Sequence, residues 1–171
     1  MKAFTLVETM VTVLIFSFLI AAIFAVMNTG RLSWFTGDTS VELRQEIIKA
    51  YMTMEREIRQ TRPSQTDLTV NTTTNAVTFT LPVDLDADGT VLDTVGQVEW
   101  SGNITYALNG TNITRTAVGV TTVLGRNINS LEFTLLQVPL NSIQIDISAQ
   151  KVSATGRTIQ DSGQITVKMR N

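Results

Sequence analysis

Three patterns predict an α+β fold in which a long N-terminal α-helix, half of it bilayer-spanning and half amphipathic, packs on an antiparallel β-sheet. The first is a run of 22 residues, Thr9 to Gly30, without one charged side chain. The second is an apolar stripe at helical spacing, Ile47, Tyr51, Met54 and Ile58 at i, i+4, i+7 and i+11. The third is a change beyond Ser64 to Thr, Val, Asn, Ser and Gly, with apolar residues at every second position, the period of a half-buried strand. A chain of 171 residues suits one modest domain.

The uncharged run comes first. At about 1.5 Å per residue a helix of this length covers roughly 30 Å, the thickness of the hydrocarbon core of a bilayer. A secretory signal peptide has a shorter apolar region and a small-residue cleavage site, which this segment lacks. A helix buried on every face needs more surrounding protein than so small a domain supplies. One transmembrane helix is the reading that remains, with Trp34 and Phe35 as aromatic anchors just beyond it.

Glu8 stands at the entrance of that run, separated from Lys2 by Ala3-Phe4-Thr5-Leu6-Val7. An acid at the edge of a membrane segment costs about 2 to 3 kcal/mol on insertion scales and is retained where it has a partner or a function. The string Ala3-Phe4-Thr5-Leu6-Val7-Glu8 closely resembles the processing motif of type IV prepilins and type II secretion pseudopilins, usually Gly-Phe-Thr-Leu-Ile-Glu at the head of an apolar helix. The resemblance implies a pilin-like fold and a leader, residues 1–3, removed by a prepilin peptidase. It implies cleavage between Ala3 and Phe4, N-methylation of Phe4, and an assembly role for Glu8. Ala3 replaces the family's usual Gly, and Ala25 stands where major pilins often carry a helix-kinking Pro, which predicts a straighter helix. A new amine on Phe4 would neutralise Glu8 of a neighbouring subunit in a low-dielectric filament core.

Residues 31–63 form the amphipathic half. Charges fill the positions around the apolar stripe, Glu55 and Arg59 stand at i, i+4, and Pro63 is the expected stop. Gly30, Gly37 and the Thr36 to Ser40 stretch are where the rod is expected to bend or melt, if anywhere. Residues 64–171 form the β domain. Val77 to Leu81 reads as a strand, and Ile104 to Leu108 with Thr111 to Arg115 flank Asn109-Gly110, a strong hairpin signal. Leu131, Phe133 and Leu135 alternate, as do Ile143, Ile145 and Ile147, and Ile165, Val167 and Met169. Ala149 to Gly163 is expected to be a hairpin with a mobile loop, Thr166, Lys168 and Arg170 face water, and Trp100 belongs to the core. Within the family, the Met54 to Arg59 segment, the Tyr106 to Arg115 hairpin, Asn127 to Phe133 and Arg170-Asn171 look most like J-type pseudopilins or W-type minor pilins.

Chemistry is scarce. The absence of His and Cys removes imidazole bases, thiol nucleophiles, disulfides and the usual zinc sets, and no phosphate-binding loop, nucleophile elbow or dinucleotide fingerprint occurs. An enzyme is not expected. Thirteen Lys and Arg against fifteen Asp and Glu predict no nucleic-acid partner. Asn-x-Thr sites at Asn71, Asn103, Asn109 and Asn112 matter only in a eukaryotic secretory route. One motif has ligand character: Asp84-Leu85-Asp86-Ala87-Asp88-Gly89-Thr90 follows the opening of a calcium loop, with Asp84, Asp86, Asp88, the Thr90 carbonyl and Asp93 as oxygen donors. Val95 replaces the bidentate Glu of a full EF-hand, so a structural Ca2+ site and an exposed acidic turn both stand. No cofactor is required.

Taken with the resemblance, these readings imply a minor pilin or pseudopilin of a type IV pilus or type II secretion pseudopilus. It would be a single-pass protein of the bacterial inner membrane with its globular domain in the periplasm. Its partners would be other pilin or pseudopilin subunits, prepilin peptidase, the inner-membrane assembly platform and the membrane itself. The alternative is a membrane-anchored periplasmic binding domain that never polymerises, in which the Ala3-Phe4 bond stays intact.

Overall fold

A computed structural model describes residues 5–137 and 141–170. Helix α1 (Leu6–Ile58) runs unbroken for 53 residues, about 80 Å. Thr5 caps it: the Thr5 hydroxyl accepts from the Glu8 N–H while the Glu8 carboxylate accepts from the Thr5 N–H, so two first-turn donors are satisfied reciprocally. Gly30, Gly37 and the Thr36 to Ser40 stretch all lie inside the helix. The hydroxyls of Thr29, Thr36 and Thr39 donate to the carbonyls of Ala25, Leu32 and Phe35, four residues back, and so do not compete with the helix. The helix ends at Ile58, before Pro63, which instead opens a single 3-10 turn, Pro63–Gln65.

The two halves of α1 have different surroundings. Every residue from Thr5 to Phe35 is exposed. From Thr39 onward one face is buried, through Leu43, Ile47, Ala50, Tyr51, Met54, Glu57 and Ile58, which includes all four positions of the expected stripe.

Eight strands follow: β1 (Thr73–Thr74), β2 (Ala76–Phe79), β3 (Ile104–Asn109), β4 (Asn112–Ala117), β5 (Val120–Gly125), β6 (Ile128–Leu136), β7 (Ser142–Val152) and β8 (Thr158–Lys168). They form two four-stranded antiparallel sheets, ordered β2-β3-β4-β5 and β1-β6-β7-β8, where one sheet was expected. The chain passes from one sheet to the other between β1 and β2 and again between β5 and β6. Gly125 sits so close to α1 that a Cβ would lie 3.3 Å from the Glu46 carbonyl oxygen, and Asn127, at φ +59°, turns the chain into the second sheet.

Two local differences from expectation have simple causes. Asn109 pairs with Asn112, so the β3–β4 turn is centred on Gly110-Thr111, and Gly110 takes φ +60° at the first central position without a Cβ penalty. The Ala149 to Gly163 region is mostly ladder, paired as far as Val152↔Thr158, with only residues 153–157 turning. Its strand character is masked in sequence because β8 is exposed or half-buried for most of its length.

The core lies between α1 and the sheets. Leu131, Phe133, Ile143, Ile145, Ile147 and Val167 face it from one sheet, Val77, Phe79, Ile104, Tyr106 and Ile113 from the other. Strand β8 runs parallel to α1 and is pinned along it: the Arg170 N–H donates to the Thr61 carbonyl, the Tyr51 hydroxyl donates to the Gly163 carbonyl, and Arg44 pairs with Asp161. Lys151 of β7 pairs with Glu42. The turn after β7 thus ends beside residues Thr29 to Thr36 of α1, where Thr155 and Arg157 share a groove with Thr29, Leu32, Ser33 and Thr36.

Candidate functional site

The head of α1 is the first place to which sequence motifs point. Ala3 and Phe4 lie outside the described residues. Glu8 is exposed and occupied within its own first turn by the capping box with Thr5. That second role was legible as Thr5-x-x-Glu8 directly before an apolar run, the capping-box signature. An acid in the first helical turn also complements the positive end of the helix dipole. Beyond it the hydroxyls of Thr9, Thr12 and Ser17 donate to the carbonyls of Leu6, Glu8 and Val13, so these three are satisfied within the helix. The segment is long and apolar enough to cross a membrane, and its residues are exposed.

A second cluster lies where α1 meets the β2-β3-β4-β5 sheet. Glu57 Oε2 accepts from the Tyr106 hydroxyl at 2.7 Å and from Arg115 Nε at 3.0 Å. Tyr106 is fully buried and Glu57 nearly so. Burial, reinforced by the neighbouring Glu57 carboxylate, pushes the Tyr106 hydroxyl far above its ordinary pKa. Burial acts to lower Arg115, but its bond to Glu57 and the charge there outweigh that and hold it up. The cluster joins Tyr106, Glu57 and Arg115 in fixed partnership across the helix–sheet boundary. It is chemically a clamp between helix and sheet. In the sequence Glu57 sits among charged neighbours, and only its place beside Ile58 on the buried side of α1 distinguishes it from them. Nearby, burial pushes the Tyr51 hydroxyl up to about 12.

The acidic loop is arranged differently from a calcium loop read off the sequence. Asp84, Asp86 and Glu99 bring carboxylate oxygens within 4.8 Å of one another. Glu99 is carried there by backbone bonds from the Val83 N–H to its carbonyl and from its own N–H to the Val91 carbonyl. Asp88 Oδ1 instead accepts from the Thr90 N–H and hydroxyl, and Asp93 Oδ1 accepts from the N–H groups of Val95 and Gln97, closing its own turn. Of the expected carboxylates Asp84 and Asp86 meet, while also accepting from the N–H groups of Asp88 and Gly89, and Asp88 and Asp93 lie outside the group. Glu99, 13 residues beyond Asp86, completes the group of oxygens that could hold a divalent cation.

The conspicuous aromatics separate. Trp34 is 78% exposed at the end of the apolar run, whereas Trp100 is half-buried beneath the Arg62 guanidinium, 5.6 Å from the ring centroid, rather than in the core. No family model, curated protein or solved structure matches the chain.

Proposed function

We propose that the chain is a structural subunit, a minor pilin or pseudopilin, of a type IV pilus or type II secretion pseudopilus. It is made as a single-pass inner-membrane precursor with its β domain in the periplasm, is cleaved between Ala3 and Phe4 by prepilin peptidase, and is methylated at Phe4. On the inner-membrane platform it joins other pilin or pseudopilin subunits through the apolar half of α1. The observation that carries this reading is the bare helix from Thr5 to Phe35, headed by Phe4-Thr5-Leu6-Val7-Glu8 and continuous with the domain-packed half. An apolar helix left uncovered by its own domain requires lipid or other apolar helices around it, and the two are close to equivalent as solvents. Continuity makes the domain follow the helix. The role is mechanical and uses neither a catalytic residue nor a cofactor.

The test is the intact mass of the protein from membranes with and without active prepilin peptidase. Loss of Met1-Lys2-Ala3 with gain of one methyl group, only when the peptidase is active, is expected. An unprocessed mass in both cases would leave the non-polymerising anchored binding domain in its place. Glu8→Gln then isolates the charge, because Gln also completes a capping box. It should insert in the membrane normally yet incorporate poorly into filaments, and normal incorporation would remove the assembly role of Glu8.

A further inference from the structure

The β7–β8 turn reaches the level of α1 at which the uncharged run ends. From Thr9 to Arg31 is 22 helical steps, about 33 Å, so a hydrocarbon core of about 30 Å that begins at Thr9 ends within a turn of Arg31. The headgroup layer above it is about 5 to 8 Å deep. Thr29, Leu32, Ser33 and Thr36, which occupy about 10 Å of helix, line a groove of about 500 Å³ together with Thr155 and Arg157 of the turn. The turn therefore stands in the headgroup layer of any bilayer the helix crosses.

The residues gathered at this height have the chemistry of that layer. Arg31 and Arg157 are exposed, and neither makes an ion pair among the described residues. Farther along α1, Arg44 pairs with Asp161 and Lys151 with Glu42. The nearest acid along α1, Asp38, lies two turns farther from the apolar run than Arg31. Trp34, one turn beyond Arg31 on α1, is 78% exposed. Arg31 and Trp34, three residues apart, share one face of α1, and the groove with Arg157, lined by Thr29, Leu32, Ser33 and Thr36, lies on the opposite side. Cations distributed around a rod at one height suit a plane of phosphates rather than a single small anion held in a pocket.

We propose that Arg31, Trp34 and the β7–β8 turn with Arg157 form a girdle that docks the β domain onto an anionic phospholipid surface. Arginine binds phosphate oxygens in bidentate fashion, Trp34 sits at the boundary of tails and headgroups, and together they fix the height and tilt of the domain over the membrane. The braced register of β8 along α1 keeps the turn at this level. The inference rests on the membrane-spanning reading of α1 and not on filament assembly.

The chain contains no cysteine, so single-cysteine labelling is clean. The full chain carrying Ala154→Cys, with bimane on the cysteine, is reconstituted into vesicles of phosphatidylcholine alone or of equal parts phosphatidylcholine and phosphatidylglycerol, each containing a headgroup-nitroxide lipid as quencher. Ala87→Cys, in the loop that returns beside Arg62, is the distant control. Strong quenching at position 154 but not at 87 is expected, greater in the anionic vesicles and reduced by molar salt. Arg157→Gln should lower the ratio of docked to undocked turn roughly fivefold, the equivalent of about 1 kcal/mol per surface arginine, and Arg31→Gln should lower it again. Quenching no stronger at 154 than at 87, or unchanged in the double variant, overturns the girdle. Failure of the protein to float with either vesicle removes the spanning premise itself, a different result from flotation without quenching.

Discussion

Glu57→Ala is expected to destabilise the protein by about 2 to 3 kcal/mol, although alanine is the better helix former. The largest contribution comes from Tyr106, whose hydroxyl on a fully buried residue loses its acceptor, at a cost of about 1 to 3 kcal/mol. Arg115 loses its partner as well. Its side chain is 24% exposed, so water reaches it and the cost falls below the 3 to 5 kcal/mol of a fully buried broken pair. Against these, removing an acid from the last turn of α1 and inserting alanine returns about 0.5 to 1 kcal/mol through the helix dipole and propensity. Tyr106→Phe deletes the donor alone and should cost about 1 to 2 kcal/mol. The double variant should be little worse than Glu57→Ala, because the buried hydroxyl that lost its acceptor is then gone and only Arg115 is left without its partner. Urea unfolding of the full chain in detergent micelles, followed by tryptophan fluorescence, measures all three, with Trp100 reporting from beside Arg62. A Glu57→Ala variant within about 0.5 kcal/mol of wild type, or additive costs in the double variant, would refute the assignment of one coupled clamp.

Stability should be level through neutral pH and fall as pH rises from about 10 toward 12. The unfolded chain releases its tyrosine protons near 10 while the folded chain holds that of Tyr51 to about 12 and that of Tyr106 higher still. Thermal melts against pH should show a shallower fall in Tyr51→Phe, and an identical fall would refute the cause. Gly163→Ala should cost about 1 to 2 kcal/mol in urea unfolding, since the new Cβ would meet Tyr51 Cε2 at 3.1 Å. Gly37→Ala, with nothing within 4 Å, should stabilise by up to about 1 kcal/mol, and equal effects at the two sites would refute the close approach of β8 to α1. Millimolar calcium is expected to raise the melting temperature of the wild type and not of Glu99→Gln, whereas an equal response in both would exclude a site built on Asp84, Asp86 and Glu99.

What could be read in the sequence tracks how far each signal is local. The apolar run, the stripe Ile47-Tyr51-Met54-Ile58 and the alternations of β6 and β7 state their burial by period alone, and each is buried or bare as that period requires. The boundary errors come from longer-range events. Pro63 is an evident breaker, yet α1 ends at Ile58 because residues 59–62 turn toward the sheet, where the Thr61 carbonyl receives the Arg170 N–H from the far end of the chain. The second sheet was invisible because nothing near Arg126 in sequence announces that Gly125 has run into Glu46. The same holds at the sites. Thr5-Leu6-Val7-Glu8 is contiguous and was readable. Glu99 reaches Asp84 only through the pairing of residues 83 with 99 and 91 with 99, and Glu57 reaches Arg115 across 58 positions.

The internal bonding of the apolar half bears on how a subunit of the proposed kind could leave lipid at all. Transfer of an apolar helix from acyl chains to a bundle of helices exchanges one hydrocarbon environment for another, so its leucines, valines and phenylalanines contribute little net free energy to the choice. The hydroxyls of Thr9, Thr12 and Ser17 contribute little as well, since each is already bonded to a carbonyl of its own helix. Glu8 is the exception. Its capping partners in Thr5 supply hydrogen bonds but no positive charge, so the energy of the carboxylate depends strongly on what lies beside it. A cation offered by a neighbour changes that energy by more than any apolar contact along the remaining helix. On the proposed reading, the difference between a subunit dissolved in the bilayer and one drawn into a filament is concentrated at residue 8, and the rest of the rod only has to remain indifferent.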